Sequence, residues 1–426
     1  MQIPKMLVWL AAAAAAPAAG AQGSPAADDW VLPNFAYRLN LEVSNPGSGP
    51  VRALATVPVV PAQAVAPNFP GRLAIAVLVN EGGRAPSVLP SQADDLDGDG
   101  FPDQFEFPVS LAPGERRRVQ IYYSTTLHDE IYYPRRVQAK HNYGYNFQTV
   151  TLESELIGYR TYGAFFLDVQ GRVAGHPGLH NDLVGYLSIR RDFEEGRDIF
   201  HVGETLGLGG IFLRREGQVY QPPFNVPDYA HKPQPEMAPH YRVISRGPLR
   251  AIVEAALERW TVAGDVFRLQ ARYSIDAGEG FVRCRFEAVP VNVAPGHVYE
   301  LGIGVRDLPD ESLRFFEGCL VVAGEQDKRT GPLGLAVYFA PADWEGPESV
   351  ATRESGNRAA ISRRRLGPGQ AVEGDYAAAA AWSRSGIADL PGYLSGLKAS
   401  VNARVGVSDF RFERTPRPEK LDAEAQ

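Results

Sequence analysis

The stretch Phe35 to Ser44 places Tyr37, Leu39, Leu41 and Val43 at alternate positions with polar residues between them. This is the period-two pattern of a half-buried strand. The pattern returns at Arg72 to Asn80, Gln104 to Leu111 and Arg117 to Ser124, so residues 30–125 are expected to form a small β-sandwich. Further strand-like runs follow at Ala251 to Val262, Val266 to Ile275, Phe281 to Val291, Tyr299 to Val305, Cys319 to Ala323 and Leu333 to Phe339. They predict one large antiparallel sandwich over residues 145–412. Between the two, Thr125 to Asn146 is rich in Tyr, His and Arg with little alternation and reads as an ordered surface connection. Near the end, Asp389 is placed to cap a helix with Pro391 in its first turn and an apolar stripe of Tyr393, Leu394, Leu397 and Val401. The charged tail Thr415 to Gln426 is expected to be disordered.

Composition agrees with this all-β reading. Among 426 residues, 44% are hydrophobic and 22% charged, as in a folded globular chain. The 43 glycines and 34 prolines favour many short strands joined by tight turns. Met1 to Ala21 has one cation at Lys5, an apolar run to Pro17 and small residues ending in Ala19-Gly20-Ala21. It is the pattern of a cleaved secretory signal, too short in its apolar part for a transmembrane segment, and it implies a periplasmic or secreted protein. The formal charge of -7 leaves no basic footprint for nucleic acid. An oxidising compartment permits a disulfide between Cys284 and Cys319, and two buried thiols are the alternative.

The sharpest local motif is the acidic run from Asp95 to Glu106. Asp95, Asp97, Asp99, Asp103 and Glu106 stand where a calcium loop carries side-chain oxygens, Phe101 where it offers a carbonyl, and Gly100 where it turns sharply. The expected role is a structural Ca²⁺ site in a turn between strands, with no organic cofactor. An ion-free Asp/Gly turn is the alternative.

A second group is Glu153 to Tyr162, Glu-Ser-Glu-Leu-Ile-Gly-Tyr-Arg-Thr-Tyr. On one continuous strand Glu153, Glu155 and Tyr159 share a face, while Arg160 and Tyr162 take the other. The two carboxylates would be roughly 6.6 Å apart at their Cα atoms, which separates neither retaining from inverting glycosidases nor either from a solvated acidic pair. The glycine-rich run Gly196 to Gly210, which contains Asp198 and His201, lacks the Lys-Ser/Thr of a phosphate loop. His176, His180 and Asp182 read as ordinary loop residues. His141, Tyr143, Tyr145, His240, Tyr241 and Arg242 form a polar and aromatic set suited to sugar rings and carboxylates.

Through Glu153 to Tyr162 and Gly196 to Gly210, and through the acidic loop followed by Leu111-Ala112-Pro113-Gly114-Glu115, the chain resembles a bacterial domain-of-unknown-function family of exported proteins associated with polysaccharide utilisation. The resemblance implies a large β-sandwich similar to galactose mutarotases and to the sandwich domains of polysaccharide lyases, with an acidic oligosaccharide as ligand. On that footing the expected reaction is β-elimination or dehydration of a uronate-containing oligosaccharide. Arg160 would meet the carboxylate, His201 or His141 serve as base, and Tyr159 or Tyr143 as acid. Tyr162, Asp198, His240 and Arg242 complete the expected binding set. A hydrolase using Glu153 and Glu155 and a non-catalytic, calcium-stapled sugar-binding protein are the alternatives.

Overall fold

A computed structural model describes residues 30–79, 85–125, 133–144, 147–161, 165–179, 195–223, 239–352 and 356–414, the side chains of residues 142–144, 147 and 148 excepted. The signal-like Met1 to Ala21, Tyr162, His180, Asp182 and the tail Thr415 to Gln426 lie outside these residues.

The fold is all-β. In the small unit Tyr37–Ser44 lies between Arg116–Tyr123 and Gly406–Arg414 in a five-stranded sheet. A three-stranded sheet of Val51–Pro58, Gln104–Leu111 and Gln92–Asp94 accompanies it. Leu39, Leu41 and Val43 point into the shared core with Val57, Phe105, Phe107 and Ile121, as their alternation requires. Each such side chain contributes about 1.5–3 kcal/mol on burial. The sequence reading put Gly406–Arg414 in the large sandwich. It instead closes the small sheet, and its Val407, Phe410 and Phe412 pack on that core.

The large unit is a sandwich of a ten-stranded and an eight-stranded antiparallel sheet. Its core gathers Val150, Leu152, Val169 and Ile303 from the first sheet with Val253, Leu257, Leu269 and Leu335 from the second. Val137–Gly144, expected as part of a surface connection, is the edge strand of the ten-stranded sheet and pairs with Phe147–Ser154. Leu390–Asn402 forms the expected helix, with the Asp389 carboxylate accepting from Gly392 N at 2.9 Å. Its Leu390, Leu394 and Val401 cover the outer face of the eight-stranded sheet with Cys319, Val321 and Ala379. Cys284 belongs to the core on the other face of that sheet. The two thiols are free because the sheet separates them. Burial raises both above the ordinary thiol range, Cys319 to about 12.

The two units meet at buried ion pairs. Gln92 Nε2 donates to Ser245 Oγ at 2.9 Å and to Arg250 O at 2.8 Å. Arg250 pairs with Glu106 and, at 2.6 Å, with Asp276.

Candidate functional site

Five neighbouring segments of the ten-stranded sheet carry an unusual outer face. Val137–Gly144, Phe147–Ser154, Gly158–Thr161, Leu167–Arg172 and Gly196–Asp198 send Val137, Ala139, Val150, Leu152, Tyr159, Leu167 and Val169 into the core. Alternation therefore turns Gln138, Lys140, Thr151, Glu153, Arg160, Asp168, Gln170, Arg172 and Asp198 to the opposite face. Register aligns them in two rows. Lys140, Thr151, Arg160 and Asp168 are successive cross-strand partners, as are Gln138, Glu153, Gly158, Gln170 and Asp198. Gly158 keeps the second row open, since a Cβ there would lie 3.0 Å from Gln170 Oε1 and 3.4 Å from Arg172 Nη2.

This polar face is buried: Glu153 and Asp168 are fully covered, and Arg160 is 1% exposed. Buried charge persists only when paired. Arg172 pairs with Glu153, which also accepts from Gln138 Nε2 at 2.5 Å. Arg160 Nη2 donates to Asp168 Oδ2 at 2.5 Å and to Asp198 Oδ2 at 2.8 Å. Burial, and then the charge of Asp168, raise the Asp198 carboxyl to about 7 although Arg160 opposes the shift. Asp198 Oδ1 also accepts from Phe200 N at 3.3 Å, where the chain turns out to the exposed His201.

The residues singled out in the sequence divide among several places. Glu153, Arg160 and Asp198 share the polar face, and His201 follows at its end. Tyr159 does not join them. It points into the core, where its hydroxyl donates to Gly280 O at 2.7 Å and accepts from Ala380 N at 3.0 Å, and burial raises it far above the ordinary phenol range. Arg160 is held between the Asp168 and Asp198 carboxylates inside the protein. Glu153 and Glu155 do not act as a pair. The strand ends at Ser154, Glu153 is tied to Arg172 inside, and Glu155 pairs with Arg136 and accepts from Gly278 N at 3.2 Å.

His141 pairs across from Val150 and so lies on the core side of its strand, where burial and the nearby Arg246 lower its pKa. Tyr143 belongs to the same strand, in the part whose side chains are not described. His240 and Arg242 are exposed on His240–Arg246, the edge strand of the eight-stranded sheet. Tyr241 and Val243 of that strand face the core, so His240 and Arg242 face outward, across the sandwich from Asp198. Asp168, Gln170 and Arg172 were missed in the sequence. Their alternation with Leu167, Val169 and Gly171 is the signal that finds them.

In the acidic loop, carboxylate oxygens of Asp95, Asp97 and Asp99 lie within 4.8 Å of one another. Asp95 accepts from Gly98 N at 2.6 Å and Gly100 N at 2.8 Å, Asp99 accepts from Phe101 N at 2.8 Å, and Asp103 accepts from Leu96 N at 2.6 Å. Phe101 exposes its ring, and its carbonyl stands at the expected ligand position of the motif. Glu106 leaves the expected set: it is buried on its strand, holding Arg250 and accepting from Thr56 Oγ1 at 3.1 Å. Arg242 instead docks this loop onto the large sandwich, donating to Leu96 O at 3.1 Å and Asp97 O at 3.2 Å.

Among the described residues no helix is long and apolar enough to cross a membrane. Among curated proteins none matches the chain. Of solved structures, an alpha-mannosidase from Enterococcus faecalis V583 is 10% identical over 89% of this chain and 46% of its own, with a TM-score of 0.45. A protein in the glycosyl hydrolase family 38 from Enterococcus faecalis is 9% identical over 89% of this chain and 48% of its own, with a TM-score of 0.44. The chain thus spans about half the length of these structures. The model of one family matches residues 52–404, which take in the sandwich with its polar face and the small unit apart from Tyr37–Ser44 and Gly406–Arg414, and the chain belongs to that family, the domain of unknown function DUF4861.

Proposed function

We propose that this chain is an exported carbohydrate-active protein that acts on uronate-containing oligosaccharides by lyase-type β-elimination or dehydration, at the Asp198 end of the polar sheet face. The observation that carries the reading is the Asp198 carboxyl, raised to about 7 and aimed by Arg160, with the exposed His201 three positions further on. A positioned acid and a positioned base are what such a reaction requires. His201 takes the C5 proton of the uronate while the C4–O bond breaks with its electron pair going to oxygen. Asp198 in its acid form protonates that oxygen, and a C4=C5 double bond forms. In β-elimination the departing group is the next sugar; in dehydration it is water.

The test is incubation with a panel of uronate-containing oligosaccharides, followed by the ultraviolet band of the unsaturated uronate and by mass. The expected result is an absorbing product, with a rate that falls as pH rises through about 7 because the acid form of Asp198 is lost. Asp198→Asn lowers the rate by roughly 10²–10⁴-fold and removes that fall. A product heavier by one water, or no product across the panel, overturns the reading. For the acidic loop we propose a structural Ca²⁺ held by Asp95, Asp97 and Asp99, supported by the convergence of their oxygens.

A further inference from the structure

The ladder that holds Gly196–Asp198 against Leu167–Arg172 is extended by Ile199 N, which donates to Val169 O at 3.1 Å. Beyond it His201 lies outside any strand, so its peptide groups need partners from elsewhere. One side chain meets both. Gln326 Oε1 accepts from His201 N and Gln326 Nε2 donates to His201 O, each at 2.8 Å. A carboxamide carries a donor and an acceptor side by side, so it stands in for the peptide of a partner strand. Arg306 Nη1 adds a bond to His201 O at 2.6 Å. Gln326 is itself held. Its loop, between Cys319–Gly324 and Leu333–Phe339, is closed by Asp327 O, which accepts from Thr330 N at 3.0 Å and Gly331 N at 2.9 Å. Trp382 Nε1 donates to Thr330 O at 2.8 Å. The same indole packs against Gly171, where a Cβ would come within 2.6 Å of Trp382 Cε3, and Gly171 is the register partner of Arg197, the neighbour of Asp198. One buried ring thus ties the loop of Gln326 to the strand of Asp198.

We propose that Gln326 is the positioning residue of His201: its carboxamide fixes the peptide that carries the imidazole, and so the place of the base relative to Asp198. The proposal rests on the reading of those two residues given above. A general base works only within hydrogen-bond reach of the proton it takes, and a misplacement of about 1 Å costs roughly 10²-fold in rate. His201 is exposed, so packing supplies little of that constraint and the clamp on its backbone supplies it instead.

Gln326→Ala removes both bonds, and the kinetics of the absorbing product are followed for this variant, for His201→Ala and for the two combined, all on the full chain. The expected result is a kcat lower by about ten- to hundredfold in Gln326→Ala with KM unchanged, and no further loss when Gln326→Ala is added to His201→Ala, because the first acts only through the second. A merely structural role would lower the rate equally in both backgrounds. Amide hydrogen exchange supplies a readout that needs no substrate: exchange at His201 N rises in Gln326→Ala while Cys319–Gly324 and Leu333–Phe339 stay protected, which also shows that the variant folds. Losses that add in the combined variant, a raised KM with unchanged kcat, or unaltered exchange at His201 overturn the proposal and leave the reaction standing. No product from the parent removes the elimination reading and this role of Gln326 with it.

Discussion

Glu106 shows how a residue's sequence neighbours differ from its spatial ones. It stands at the last position of a calcium motif, yet the strand Gln104–Leu111 carries it into the joint between the two units beside Arg250, Asp94 and Asp276. Burial, and then Arg250 opposing and the charges of Asp94 and Asp276 adding, leave its carboxyl raised to about 8. An acid raised on folding contributes stability that is whole below its unfolded value, about 4.3, and is lost as pH rises through the folded value. Stability is therefore expected to decline between about pH 4.3 and pH 8. Glu106→Gln keeps a neutral hydrogen-bonding group and is expected to flatten the decline. Urea unfolding at several pH values measures this, and parallel slopes in the two proteins reject it. The same limit on sequence reading applies at Glu153 and Glu155. Alternation there predicts one continuous strand, but the chain reverses after Ser154 and pairs Gly158 back onto Glu153, which changes the face of everything that follows.

At the scale of elements, the apolar pattern located several strands, though it was not followed at Leu167–Arg172. Gln104–Leu111 and Leu333–Phe339 have the bounds expected of them, and the helix Leu390–Asn402 follows its cap and stripe. Val137–Gly144 escaped because its outward positions are polar and its inward ones include His141, which blunts the contrast between faces. The polar sheet face was hidden for a related reason: its charges come from five segments, and only register assembles them. The acidic loop was legible as a motif, and its docking through Arg242 was not, because that arginine lies far along the chain. Calcium at this loop is expected to raise the thermal midpoint of the protein, as any ligand of the folded state does. A scanning calorimetry series in calcium and in chelator reads the effect, and Asp95→Ala with Asp97→Ala abolishes it. Midpoints that coincide in both conditions exclude the ion.

At the scale of the whole molecule, the small unit is completed by the far end of the chain. Tyr37–Ser44 pairs on one side with Arg116–Tyr123 and on the other with Gly406–Arg414. A chain ended after Val405 is expected to leave Tyr37–Ser44 as a bare edge, to lose the packing of Val407, Phe410 and Phe412, and to lose about 2 kcal/mol or more of stability. Amide hydrogen exchange along Tyr37–Ser44 checks this, and protection equal to that of the full chain counts against it. Closure by the last strand also sets an order of events in synthesis. The ribosome emits the first strands of the small unit early, yet their partner strand emerges only after the whole sandwich has been translated. The strand Tyr37–Ser44 therefore gains its second partner only after the sandwich that lies between the two in sequence has been made.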